Sequence, residues 1–134
     1  MSEIIYTASF ESAFKQVILH EGGYVNDKRD RGGETNYGIT KSVAEANGYS
    51  SDMKDLPIST AKAIYKKQYW DVLKLDEISV FSTKIAAELF DSAVNCGCGT
   101  VARWLQSALN LFVQINGIDL KVDGNIGSVT LNAF

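Results

Sequence analysis

Glu21-Gly22-Gly23-Tyr24-Val25-Asn26-Asp27, followed by Asp30, Gly32-Gly33 and Glu34-Thr35-Asn36-Tyr37-Gly38-Ile39-Thr40, is the stretch on which the fold turns. Upstream of it, Phe10, Phe14, Val17 and Ile18 recur at helical spacing as far as Glu21, with Thr7 or Ser9 placed to cap the helix start. Gly22-Gly23 stops that helix, because glycine reaches the left-handed conformation that satisfies the last carbonyls. Within the stretch, two Gly-Gly pairs, Asn26-Asp27 and the residues Tyr24, Val25, Tyr37 and Ile39 predict short strands joined by turns, a small β-meander.

Outward from there the pattern is helical. Ser42 with Glu45 reads as a capping box for a short helix that Asn47-Gly48 ends. Pro57 and Ser59 precede a helix over about 60–70 with Ile64, Tyr65 and Tyr69 on its ridge. Another runs over about 82–94, carrying Ala86, Leu89, Phe90, Ala93 and Val94 on one side. Residues 95–99 form a Gly/Cys turn, and Thr100 caps a helix with Val101, Trp104, Leu105, Ala108, Leu111, Phe112 and Ile115, closed by Gly117. The shared ridge with Val101 and Leu105 places Trp104 in the core. Residues 122–130 read as a turn leading into a last helix capped by Ser128. The expected architecture is mainly α, a helical domain with a small β-meander after the first helix.

The composition limits function. The 134 residues are 46% hydrophobic and 22% charged, in the globular range, and a chain this long buries enough surface for a core without staples. With 13 basic and 16 acidic residues the formal charge is −3, so whole-molecule attraction to nucleic acid or to an anionic membrane is not indicated. One histidine, His20, and two cysteines, Cys96 and Cys98, cannot build a Cys/His zinc site of standard spacing or a disulfide framework, and no metal or cofactor is expected. His20-Glu21 is not a zinc-protease motif, since Tyr24 stands where the second histidine belongs. The segment MSEIIYTASFES lacks a basic n-region and a continuous apolar run, so synthesis in the cytoplasm without a signal peptide, and no stable membrane insertion, are expected.

The chemistry centres on Glu21. It lies on the same helical face as Phe10, Phe14, Val17 and Ile18, in the last turn, where partial burial and the negative end of the helix dipole both favour a protonated carboxyl. That is the direction of a general acid. A helix-end carboxylate turned to solvent is the commoner outcome on position alone. Downstream the meander offers Asp27, Asp30, Glu34 and Thr35. A second carboxylate, Asp30, would stabilise an oxocarbenium-like transition state or activate water held by Thr35, which is the two-carboxylate plan of glycoside hydrolysis. Asp27 reads better as a turn former. Tyr24, Tyr37, Tyr69, Trp70 and Trp104 are candidates to stack on sugar faces, with Tyr24 and Tyr37 favoured because they flank the catalytic stretch. Lys28, Arg29 and Arg31 read as a solvated basic turn.

These residues resemble the EGGY-motif lysozymes, the N-acetylmuramidases of glycoside hydrolase family one hundred and eight, found in phages and bacteria. Glu21-Gly22-Gly23-Tyr24, Val25-Asn26-Asp27, Asp30, Gly32-Gly33 and Thr35-Asn36-Tyr37-Gly38-Ile39-Thr40 stand in the family's order. The likeness extends to Tyr69-Trp70 and to Phe90-Asp91-Ser92-Ala93-Val94-Asn95. The resemblance implies an α+β lysozyme-like fold, Glu21 as the essential catalytic residue, and cleavage of the β-1,4 bond between N-acetylmuramic acid and N-acetylglucosamine. Asp30 and Thr35 complete the expected catalytic set, and Tyr24, Tyr37, Tyr69 and Asn95 the substrate-binding set. The arrangement is also similar to phage-type lysozymes, which place Glu, Asp and Thr in helix-then-hairpin order, although the Asp-to-Thr spacing here is one residue shorter.

Asp123-Gly124-Asn125-Ile126-Gly127-Ser128-Val129-Thr130 is similar to the DGxxGxxT signature of predicted peptidoglycan-binding segments attached to this family. An Asp-Gly turn with a helix start would look the same for structural reasons. The expected division is thus 1–95, a lysozyme-like catalytic region, and 96–134, a helical peptidoglycan-binding segment packed in the same unit. The implied partners are peptidoglycan glycan strands, with a holin or export machinery giving a monomeric enzyme access to the wall. Two rival readings stay open: a lytic transglycosylase, and a non-catalytic wall-binding or secretion-accessory protein.

Overall fold

The computed structural model describes residues 3–29, 31–113 and 119–134. Helix α1 (Ala8–Glu21) starts where Thr7 Oγ1 accepts the Phe10 N–H at 3.3 Å and ends at Gly22, whose φ is +73°. Phe10, Ala13, Phe14 and Val17 form its buried stripe. The meander follows as β1 (Val25–Asn26), β2 (Glu34–Asn36) and β3 (Ile39–Thr40), an antiparallel sheet in that order. Val25 lies opposite Thr35 and Asn26 opposite Glu34, while Thr35 and Asn36 pair with Thr40 and Ile39.

Two residues join β2 to β3, Tyr37 at φ +52° and Gly38 at φ +75°. Positive φ at both positions matches the twist of the strands that a tight hairpin connects, and it is an uncommon conformation for a tyrosine. The sheet is anchored from below: the buried Asn36 amide donates to the Met53 carbonyl at 2.8 Å, in a 3-10 turn over Met53–Asp55.

The helical boundaries differ from the sequence reading in informative places. Helix α2 (Lys41–Ala46) is capped by Thr40, not Ser42; the extended Thr40 offers Oγ1 to the Val43 N–H, whereas Ser42 already lies inside the helix. Helix α3 (Ile58–Tyr65) passes into a π-helical turn over Lys66–Trp70, closed by the Asp71 N–H on the Lys66 carbonyl. Helix α4 (Leu75–Phe81), unanticipated, is launched by Lys74 in the left-handed region. Helix α5 (Thr83–Cys96) is capped by Ser82, and α6 (Cys98–Val113) begins directly after Gly97, ahead of Thr100. The last helix, α7 (Ser128–Leu131), opens with Ser128 as its first residue and has no side-chain cap. The expected closure at Gly117 lies outside the described residues.

Helix α5 is the hub, packed against α1, α4, α6 and the π-helical turn. At its centre the rings of Phe10, Trp70 and Phe90 meet pairwise, with centroids 5.3 Å apart for Phe10–Trp70, 5.9 Å for Phe10–Phe90 and 5.5 Å for Trp70–Phe90. Each such ring contributes about 1.5–3 kcal/mol by leaving water, and edge-to-face contact adds about 1 kcal/mol. The Trp70 indole N–H donates to Asp76 Oδ1, which also accepts from Thr7 Oγ1, so this ring is core rather than a sugar platform. Val101, Ala102 and Ile126 join the same buried cluster. Trp104 does not: it is 56% exposed, because α6 turns Val101, Ala102 and Gln106 inward and its outer face is left to solvent. Among the described residues no helix is long and apolar enough to cross a membrane. The mainly helical α+β architecture read from the sequence is the one observed.

Candidate active site

Glu21 stands one turn beyond Val17 on the inward face of α1 and is half-buried. The hairpin turn closes against it. A Cβ on Gly38 would lie 2.5 Å from Glu21 Oε2 and 2.8 Å from the Tyr65 hydroxyl oxygen, so position 38 admits glycine on steric grounds as well as for its φ. Tyr65, buried at the end of α3, donates its hydroxyl proton to the Tyr37 carbonyl at 2.7 Å and holds the turn in place. Three elements distant in sequence thus converge on one carboxyl group. Among the described residues the Glu21 carboxylate makes no hydrogen bond or ion pair.

The tyrosines beside it stay neutral. Burial pushes the Tyr65 hydroxyl far above the usual tyrosine range, and the charges of Glu21 and Tyr69 push the same way. Tyr69 is raised by burial first, then by Cys98 and Glu21. The two rings stack with centroids 5.7 Å apart. A cleft of about 140 Å³ opens between the hairpin and the π-helical turn, with Gly38, Thr40, Tyr65, Gln68 and Tyr69 on its walls.

Of the residues singled out by sequence, Tyr69 lines this cleft, Glu21 packs against Gly38 on its wall, and Tyr37 reaches the cluster through its carbonyl. Thr35 shares a sheet face with Val25 and Thr40, its register partners. Asp30 lies outside the described residues. Asp27 is a turn former as expected, its Oδ1 accepting the Arg29 N–H at 2.9 Å. Tyr24 donates its hydroxyl to Glu34 Oε1 at 2.8 Å and has the Lys54 ammonium 5.5 Å above its ring. Asn95 is exposed on the last turn of α5 with its amide committed to the Asp91 carbonyl; three residues on, at the start of α6, the Cys98 thiol donates to the Gln68 carbonyl, joining α6 to the π-helical turn. Sequence reasoning missed Gly38, Tyr65 and Gln68 as site residues. The one signal available was the two-residue Tyr37-Gly38 spacing between strand-like pairs.

The C-terminal signature is organised differently. Gln106 on α6 is 1% exposed, and its Nε2 donates to Asp123 Oδ1, the Asn125 carbonyl and Thr130 Oγ1 at 3.1, 2.8 and 3.2 Å. Its Oε1 accepts the Gly124 N–H at 3.1 Å. Asp123 also accepts the Asn125 N–H; that bond, followed by the Gln106 amide, holds its carboxyl below the usual range. The Asp, the first Gly and the Thr of the signature therefore each have a partner in one knot around Gln106.

No curated protein sequence matches this chain. Among solved structures, that of Brucella abortus SagA superposes with a TM-score of 0.71 at 31% identity, over 93% of this chain and 67% of that one. The family model described as Glycosyl hydrolase 108 matches residues 14–97, the span that holds Glu21, Gly38, Tyr65 and Tyr69. With Glu21 and the hairpin it packs against inside the matched span, which covers more than half of the sequence, the chain belongs to the glycosyl hydrolase 108 family.

Proposed function

We propose that the protein hydrolyses peptidoglycan glycan strands at the β-1,4 bond between N-acetylmuramic acid and N-acetylglucosamine, with Glu21 as general acid. The observation that carries this is the Glu21 carboxyl group, half-buried against Gly38 and the neutral Tyr65, without a counter-ion among the described residues. In this role the Glu21 carboxyl passes a proton to the departing sugar oxygen as the glycosidic bond breaks. Water then adds to the oxocarbenium-like centre, with Asp30 as the electrostatic or water-activating partner and Thr35 assisting. Tyr24, Tyr37, Tyr69 and Asn95 contact the sugars. In this reading residues 1–95 carry the chemistry, and 96–134 form a wall-binding segment on the same core. The site of action is the periplasm or cell wall, reached through a holin or an export machine, and the enzyme is a monomer.

Digestion of purified peptidoglycan followed by mass spectrometry of the soluble products tests the proposal. Wild type releases fragments with reducing-end muramic acid, and folded Glu21→Gln loses about 10²–10⁴-fold in rate. Anhydro-muramic products would make the protein a transglycosylase. Wall binding without products would make it an accessory protein.

A further inference from the structure

We propose that Cys98 is a positioning residue: its thiol holds the π-helical turn in the form that presents Tyr69 to a glycan, a role that rests on the glycan-hydrolase reading above. Cys98 is the first residue of α6 and is half-buried. Its Sγ lies 3.4 Å from the Gln68 carbonyl oxygen and 3.9 Å from that of Tyr69, so one thiol proton faces two consecutive carbonyls of the turn.

A π-helical turn calls for such a donor. Widening the helix to i→i+5 bonding shifts the backbone donors out of step and strands a carbonyl where the wide turn ends, and a carbonyl away from water needs a partner. Here the Asp71 N–H is spent on the Lys66 carbonyl at 2.9 Å and the Leu73 N–H on the Tyr69 carbonyl at 3.2 Å. Among the described residues no backbone N–H reaches the Gln68 carbonyl, and the Cys98 thiol is the donor that meets it.

The thiol is suited to the task. Burial pushes its pKa above the ordinary cysteine range, so it keeps the proton that the bond requires. The ends of the turn are pinned separately, since the Lys66 ammonium also lies 2.7 Å from Asp71 Oδ1. Loss of the thiol therefore loosens the middle of the turn without unfolding it. The middle is where Gln68 and Tyr69 line the cleft, whereas the Glu21 carboxyl packs against the hairpin. Cys98 accordingly acts on glycan binding and not on proton transfer.

Three measurements test this. Cys96→Ser leaves Cys98 as the one thiol, and its infrared S–H stretching band should lie at lower wavenumber in the folded protein than in the same variant in denaturant. On soluble glycan chains prepared from peptidoglycan, Cys98→Ala should raise KM about fivefold, the worth of one S–H···O bond, with kcat unchanged. Cys98→Ser keeps a donor and should recover most of that loss. A side chain that only filled space would give the opposite order, because serine buries a hydroxyl and alanine does not. Hydrogen exchange at the Asp71 amide should quicken about fivefold in Cys98→Ala and stay near wild type in Cys98→Ser. Coincident folded and denatured thiol bands, alanine as good as serine, or a loss confined to kcat overturns the role of Cys98 and leaves the hydrolase reading standing. Absence of product from wild type overturns the hydrolase reading, while a displaced band with faster Asp71 exchange in Cys98→Ala still supports the hold on the turn.

Discussion

The Gln106 amide and the Glu21 carboxyl are both polar groups set against the protein interior, and the chain treats them in opposite ways. Gln106 is sealed from solvent and engages four partners across the Asp123–Thr130 segment. Glu21 is left half-open and packed against a glycine and a tyrosine that is already committed elsewhere. A buried polar group with every bond made fixes structure, because losing any partner costs the full desolvation of the others. A carboxyl group with a wall but no partner among the described residues keeps its oxygens available to a ligand. The difference separates a residue that holds the fold from one poised for chemistry, and three substitutions probe it.

Gly38→Ala should have the largest effect. The new Cβ would collide with Glu21 Oε2 and the Tyr65 hydroxyl, in a backbone conformation unsuited to alanine. Release of soluble fragments should fall about 100-fold, the cost of an ångström-scale misplacement, with about 1–2 kcal/mol lost in denaturant melts. Full activity would mean that the position of the Glu21 carboxyl is not what matters. Gln106→Leu should do the reverse, lowering stability by about 3 kcal/mol while activity per folded molecule survives at low temperature. A loss of activity at unchanged midpoint would give the C-terminal knot a functional task and collapse the contrast.

Tyr65→Phe is the mildest, about 1 kcal/mol from one lost hydrogen bond and roughly a tenfold drop in activity as the hairpin turn loosens. It also carries a pH signature. In the unfolded chain the hydroxyl ionises near pH 10, whereas in the fold it holds its proton well beyond that. The folded state therefore binds the proton more tightly, and the stability this provides is complete below about pH 10 and lost as pH climbs further. Melting curves from pH 8 to 12 should show a shallower alkaline decline in Tyr65→Phe than in wild type. Parallel declines would remove Tyr65 from the account of alkaline stability.

What was legible in the sequence was local. The α1 stripe, the Gly22 stop and the meander depend on residues a few positions apart, and Glu21 on the apolar face could be picked out as unusual from spacing alone. Tyr65 could not, because its hydroxyl partner is 28 residues away and its ridge position reads as ordinary core. Helix α4 was missed because its short, charged sequence depends on Lys74 adopting a left-handed conformation that lysine rarely signals. Trp104 was misread because an apolar ridge says nothing about whether a neighbour covers it; α6 has its partners on one side only. The Asp123-Gly124 signature was legible as a turn, but its dependence on Gln106, 17 residues upstream of Asp123, emerges from the folded chain.

The two tryptophans have an optical consequence. Trp70 is sealed between Phe10 and Phe90, and Trp104 stands in solvent on the outer side of α6. Emission from the native protein should therefore divide into a blue component that acrylamide barely reaches and a red component that it quenches at once. The shielded ring touches Phe90, which touches Tyr65, which stacks on Tyr69 at the cleft. An unlabelled sample thus carries a reporter near the cleft and a separate one on α6, distinguishable by wavelength.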